Sequence, residues 1–187
     1  MPHDLDHHLP FTTKSAIASG MSVEELQGGG WRCVMPDVWI AADAAVGRAT
    51  WRDAARLVLP VDAVLCGLSA LSEHGLELRA DDDLTVHVST GVKHRRRSTE
   101  IVNHRLALGE DETVVIGRWL VTTPRRTAFD CVRWADPTHA AVVAEAIVQA
   151  GLTDLTELTA MAERYPRLHG TKLVRLVAAG LGQAAAA

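Results

Sequence analysis

The chain has 187 residues, of which 48% are hydrophobic and 22% are charged. This composition is typical of a globular protein and excludes an intrinsically disordered chain. No apolar run approaches the ~18 residues of a transmembrane helix, so we expect no membrane partner. Asp4 and Asp6 stand where a signal peptide would carry positive charge, which predicts a cytoplasmic protein.

The charges are unevenly distributed along the chain. Residues 1–90 hold 6 Lys and Arg against 13 Asp and Glu, whereas residues 91–133 hold 9 against 5. The net charge of −4 argues against a protein that coats nucleic acid by charge alone. The densest basic run, 93–97, lies between two predicted strands, so we expect it on a surface loop.

The N-terminal part combines two short helices with a hairpin. Residues 1–10 predict a flexible tail, after which Thr12 or Thr13 can cap a helix that ends at Gly20. Ser22, with Glu25 three residues later, predicts a capping box at the start of a second helix, which the glycines at 28–30 end. Two β-prone runs, 31–35 and 38–41, then predict a hairpin. Residues 11–48 therefore predict a small winged-helix-like domain.

The remainder, residues 49–182, predicts a mixed α+β domain with a C-terminal helical section, followed by a disordered tail at 183–187. The fold class is therefore α+β. Strands are predicted at 84–88, 100–104, 113–116 and 119–121, and helices at 51–59, 63–74, 138–150, 155–164 and 171–179. Asp136 is expected to cap the helix at 138–150, with a proline in its first turn.

No catalytic, metal or cofactor site is predicted. His74, His87 and His104 lie on separate predicted elements, and the histidines of the N-terminal tail lack further ligands at useful spacing. None of the three lysines follows a carboxylate as a nuclease motif requires, and no phosphate-binding glycine motif is present. The three cysteines, Cys33, Cys66 and Cys131, lack metal or redox spacing and predict buried, reduced packing residues.

The order and spacing of several blocks resemble the AbiEi-like antitoxin and regulator proteins of type IV toxin–antitoxin systems. These blocks are 11–22, 31–41, 63–76, 85–88 and 119–130. The resemblance implies a winged-helix N-terminal domain, an α+β domain, and a role in transcriptional autoregulation or toxin neutralisation. Longer relatives add an endonuclease-like domain similar to very-short-patch-repair enzymes, so we expect that nuclease chemistry to be absent from this polypeptide.

The candidate DNA-binding residues are basic or amide side chains on the winged helix and the basic loop: Lys14, Gln27, Arg32, Lys93, Arg95, Arg96 and Arg97. If the sheet brings them near, the arginines at 105, 118, 125 and 126 would extend the patch, whereas the spacing of Arg126 within its helix favours a pair with Asp130 across one helical turn. Two carboxylates, Glu24 and Glu25, occupy the first turn of the second helix, where they would oppose binding to phosphates.

Two hypotheses follow, and neither includes enzymatic activity. The first is a transcriptional regulator that binds double-stranded operator DNA, with a homodimer as its expected form. The alternative is a protein-interaction module, which neutralises a nucleotidyltransferase-like toxin or acts as a scaffold and has lost DNA binding. The basic loop and the resemblance favour the first, and the acidic second helix favours the alternative.

Overall fold

The computed structural model describes residues 8–80, 82–91 and 100–185, in which helices and strands form an α+β protein, as the sequence predicts. The described residues divide into two compact units. The first comprises those within 1–63, 80–86 and 90–103, and the second those within 64–79, 87–89 and 104–187. Within the described ranges, no helix has both the length and the apolar character needed to cross a membrane.

The first unit contains a three-stranded sheet and three helices. In chain order they are β1 (Phe11–Thr12), α1 (Thr13–Ala18), α2 (Val23–Gln27), β2 (Trp31–Met35), β3 (Val38–Ala41) and α3 (Arg48–Val58). The strand order is β1-β3-β2, and β3 is antiparallel to both neighbours.

Local hydrogen bonds define both short helices where the sequence predicts them. The Thr12 hydroxyl accepts from the Ser15 amide at 3.0 Å, and Gly20 follows α1 with a φ of 93°. The predicted capping box is confirmed: the Glu25 amide donates to the Ser22 hydroxyl at 3.1 Å, and the Ser22 amide donates to the Glu25 carboxylate at 2.7 Å. Each helix therefore begins with a polar side chain that satisfies an otherwise unpaired amide.

The hairpin between β2 and β3 is confirmed, and its turn is formed by Pro36 and Asp37. Asp37 has a φ of 67°, the only positive φ among the described residues other than glycine. A type II turn requires a positive φ after its proline, and aspartate adopts this conformation more readily than most residues.

A small apolar core lies beneath the two short helices. Phe11, Ala16, Met21 and Leu26 are buried there, and Trp31 packs against them with its ring at 87° to that of Phe11. The indole nitrogen of a second tryptophan, Trp39, donates to the Thr13 hydroxyl at 2.9 Å. These contacts hold the helices on the sheet, since neither helix is long enough to be stable alone.

Helix α3 contacts all three strands of the first sheet. The sequence places a domain boundary between residues 48 and 49, whereas this helix begins at Arg48 and belongs to the first unit. Ala54 and Ala55, both fully buried, form its inward face.

The second sheet has the strand order β6-β5-β4-β8-β7. Its strands are β4 (Val64–Leu65), β5 (Val86–Ser89), β6 (Ile101–His104), β7 (Thr113–Ile116) and β8 (Trp119–Thr122). The central strand β4 is antiparallel to β5 and parallel to β8.

The predicted helix over 63–74 is wrong in its first part, because residues 64–65 form β4 and only α4 (Gly67–Glu73) is helical. A short apolar run that is buried on both faces has no periodicity that distinguishes a strand from a helix.

Together with α4, the second unit contains four further helices: α5 (Pro124–Trp134), α6 (Ala140–Gln149), α7 (Leu155–Arg164) and α8 (Thr171–Ala185). Their inward faces form an extensive apolar core around Phe129, Ile147, Leu158 and Val174. Helix α6 begins later than predicted, because residues 137–139 form a turn in which the Thr138 amide donates to the Asp136 carboxylate at 2.9 Å.

Helix α8 ends later than the sequence predicts. It continues through residues 180–185, which include most of the segment predicted to be a disordered tail. The alanines there have the highest helix propensity of any residue and extend a helix that packing has already established.

Candidate nucleic-acid interface

Three of the predicted DNA-binding residues lie on the first unit, and all three are exposed. Lys14 is in α1, Gln27 is the last residue of α2, and Arg32 is in β2. The α2 side chains are exposed apart from Leu26, which is 1% exposed and anchors the helix in the core. The predicted residues are therefore accessible to a ligand on the surface of this unit.

The two carboxylates of α2 are not equivalent. Glu25 accepts the Ser22 amide in the capping box, so its charge lies over the positive end of the helix and stabilises α2. Glu24 is exposed and takes no part in that box. The Glu25 carboxylate is therefore committed to the capping box, and the Glu24 carboxylate is the one that would oppose phosphate binding.

The Arg32 guanidinium donates through Nη2 to the backbone carbonyl of Ala44. This bond restrains the side chain near the end of the hairpin while the residue remains exposed. The guanidinium has five N–H donors, so several are left for an anionic ligand.

The predicted basic loop lies outside the described residues, since Lys93, Arg95, Arg96 and Arg97 all fall within 92–99. Among the arginines that could extend its patch, Arg105 and Arg118 are exposed, and Arg125 is partly exposed and paired with Asp111. Arg126 is fully buried, so of the two roles that the sequence left open for it, a place in a phosphate-binding patch is excluded.

Arg126 instead forms the centre of a buried ionic cluster in the second unit. Its Nε donates to Asp130 at 2.9 Å, which confirms the predicted pairing, and its Nη1 donates to Glu112 at 2.7 Å. Arg133 donates to the other oxygen of Asp130 at 2.7 Å, and the Tyr165 hydroxyl donates to Glu112 at 2.8 Å. Two cations and two carboxylates thus compensate one another away from water, as buried charges require.

The electrostatics of this cluster favour a permanently charged guanidinium. Burial by itself lowers the pKa of Arg126, but the neighbouring carboxylates of Asp130 and Glu112 outweigh it and raise the pKa above its ordinary value. A side chain held this way acts as a structural link between α5 and the turn before β7.

A pair of histidines is brought together by β5 and β6, although the sequence places them on separate elements. Nδ1 of His87 lies 2.9 Å from Nε2 of His104, and the His104 ring stacks on Trp134 with centroids 4.0 Å apart. Burial, followed by the nearby His87 and Arg133, lowers the pKa of His104 to about 4. No local signal predicts this contact, because it depends on which strands pair. No group of three or more ligands that could hold a metal ion occurs in the described ranges.

The cysteines are only partly as predicted. Cys66 and Cys131 are buried, and burial raises the pKa of both thiols above the ordinary value. Cys33 is exposed in β2, so the expectation that all three are buried is wrong. Arg32 beside it is exposed as well, and the pairing of β2 with β3 shifts in register between Cys33 and Met35, so regular strand alternation does not hold at this position.

In comparisons with known proteins, no protein-family model matches the chain, and no curated protein shows significant similarity to it.

Proposed function

We propose that this protein is a DNA-binding transcriptional regulator, without catalytic activity, of the antitoxin-like kind that the AbiEi resemblance implies. The observation that carries the proposal is the chain order β1-α1-α2-β2-β3 with the strand order β1-β3-β2. Two short helices joined by a tight turn and followed by a hairpin are the parts of a winged helix-turn-helix. In this arrangement the second helix enters the major groove.

The exposed polar side chains of the first unit support this role. Gln27 can read adenine through its amide, while Lys14 and Arg32 can contact phosphates. The capping box supports it further, because it commits the Glu25 carboxylate to the helix terminus. Helix-turn-helix proteins commonly bind two half-sites as dimers, and we propose a homodimer on operator DNA.

Fluorescence anisotropy with the duplex upstream of the protein's own gene and a scrambled duplex, over a range of salt concentrations, tests the proposal. We expect tighter binding to the first duplex. The variant Arg95→Ala/Arg96→Ala/Arg97→Ala should lower the magnitude of the salt slope by about 2 to 3, since each lost phosphate contact removes ~0.9. The control Arg167→Ala/Lys172→Ala/Arg175→Ala removes three exposed charges from the second unit outside the predicted patch and should leave the slope nearly unchanged.

The variant Glu24→Gln tests the assignment of α2 to the DNA surface. Removal of this exposed charge should tighten binding by a factor of about 2 to 5, the scale of a single exposed charge interaction. Equal binding of both duplexes, or no binding even at low salt, would contradict the proposal that the protein is a DNA-binding regulator.

The alternative is a protein-interaction module that neutralises a nucleotidyltransferase-like toxin. The exposed Glu24 on α2 favours it, because a carboxylate in this position suits a basic protein surface better than DNA. A toxin of this class encoded beside the gene would then bind the protein in titration calorimetry. Under this alternative Glu24→Gln should weaken binding, the opposite of its expected effect on DNA.

A further inference from the structure

A pocket of about 430 Å³ lies within the second unit, between the histidine pair and the segment that joins α5 to α6. Its volume is within the range of small-molecule sites, which are about 300–1,000 Å³. Leu68, Leu78 and Val143 form an apolar part of its lining, and His87, His104 and Trp134 form an aromatic part. Such a lining favours a ligand whose surface is mainly apolar.

The aromatic part of the lining is held rigidly. The His104 ring stacks on Trp134 at an angle of 16°, and the Arg133 guanidinium lies 4.4 Å from the Trp134 ring centroid. The Trp134 ring also packs so closely on Gly67 that a β-carbon there would lie 2.8 Å from it. A pocket lined by fixed rings suits an aromatic ligand, since aromatic pairs prefer offset or edge-to-face geometry.

His104 contributes a polar side chain to this lining. Its Nε2 is bonded to His87, whereas its Nδ1 has no hydrogen-bond partner among the described residues. The lowered pKa keeps this imidazole neutral at pH 7. If His87 supplies the shared proton, Nδ1 of His104 is a donor, and if His104 supplies it, Nδ1 is an acceptor. This nitrogen can therefore bond a ligand group of either kind.

We propose that this pocket binds an aromatic small molecule that carries no negative charge and has a hydrogen-bonding group that pairs with Nδ1 of His104. The lining also includes the exposed side chains of Asp136 and His139. The Asp136 carboxylate disfavours an anion, which would lose its hydration in a mainly apolar pocket without a compensating cation. This binding site does not depend on the proposed DNA-binding function.

Two probes of similar size test the proposal: phenol, which has a hydrogen-bonding group, and toluene, which lacks one. Binding is measured by nitrogen-15 shifts of the histidine rings in the full chain, and we expect millimolar dissociation constants for ligands so small. Phenol should shift the ring nitrogens of His104. The variant His104→Phe keeps an aromatic ring beside Trp134 but removes the hydrogen bond to the ligand. Phenol binding should therefore weaken about tenfold, which corresponds to one hydrogen bond, while toluene binding is retained.

A second pair of variants shows whether binding occurs in the pocket. Ala135 lines it, so Ala135→Phe should fill it and abolish binding of both probes. The control Ala141→Phe, at an exposed position of α6 outside the lining, should bind both probes as the wild type does. The proposal is overturned if phenol fails to shift His104 at millimolar concentrations. It is also overturned if Ala135→Phe binds phenol as tightly as Ala141→Phe.

Discussion

Replacement of Arg126 should reveal how strongly the buried cluster stabilises the second unit. In Arg126→Met, an apolar chain of similar length replaces the guanidinium, and the fully buried carboxylates of Glu112 and Asp130 lose a cation. Glu112 keeps the uncharged Tyr165 hydroxyl at 2.8 Å and Gly109 amide at 2.9 Å, and its remaining cation among the described residues is the 43% exposed Arg164 at 3.8 Å. Asp130 keeps Arg133 as a cation, at 2.7 Å. Breaking a buried pair in this way costs about 3–5 kcal/mol, a large part of the ~5–15 kcal/mol that stabilises a typical protein.

The neighbouring arginine is a matched control. Arg125 pairs with Asp111, and their side chains are 39% and 53% exposed. Arg125→Met should therefore cost only about 0–1 kcal/mol, because water stabilises both charges when the pair is broken. The free energy of unfolding is measured for each variant by urea denaturation at pH 7, followed by circular dichroism.

The variant Arg126→Lys keeps the experiment informative if Arg126→Met does not fold. A lysine retains the charge but lacks the planar fork that reaches both carboxylates, so its cost should lie between those of the two methionine variants. The reasoning is refuted if Arg126→Met and Arg125→Met differ by less than about 1 kcal/mol, since burial would then contribute nothing.

Three further predictions concern single positions. Gly170→Ala should destabilise the protein by at least ~2 kcal/mol more than Gly75→Ala in urea denaturation. Both glycines have a positive φ, but a β-carbon at Gly170 would collide with the Arg133 carbonyl, whereas Gly75 has open space. Wild-type stability should fall as the pH decreases from about 6.5 towards 4, because the unfolded state takes up a proton that folded His104, with a pKa of about 4, does not. The same unfolding curves for His104→Phe should show a smaller fall, and an equal fall would exclude His104 as the cause. One thiol should react quickly with Ellman's reagent in the folded protein and three in urea, and Cys33→Ser should abolish the fast reaction.

Sequence alone was sufficient for features that depend on neighbours within about four residues. The capping box of Ser22 and Glu25, the turn at Pro36 and Asp37, and the pairing of Arg126 with Asp130 were all predicted correctly. Helix α7 begins and ends where its pattern indicates. In each case the interacting groups are held close by the backbone itself, so the hydrogen bond or turn follows from residue type and spacing.

Tertiary structure alone decided which distant residues meet. Residues 64–65 became a central strand rather than part of a helix, and Arg126 acquired Glu112 as a second partner. The fold brings Nδ1 of His87 to 2.9 Å from Nε2 of His104, and it leaves Cys33 exposed in its strand. These outcomes depend on strand order and register, which are set by burial across the whole sheet. A shift of one residue in the pairing register turns every side chain of a strand to the opposite face of the sheet, and no local sequence pattern reveals the register.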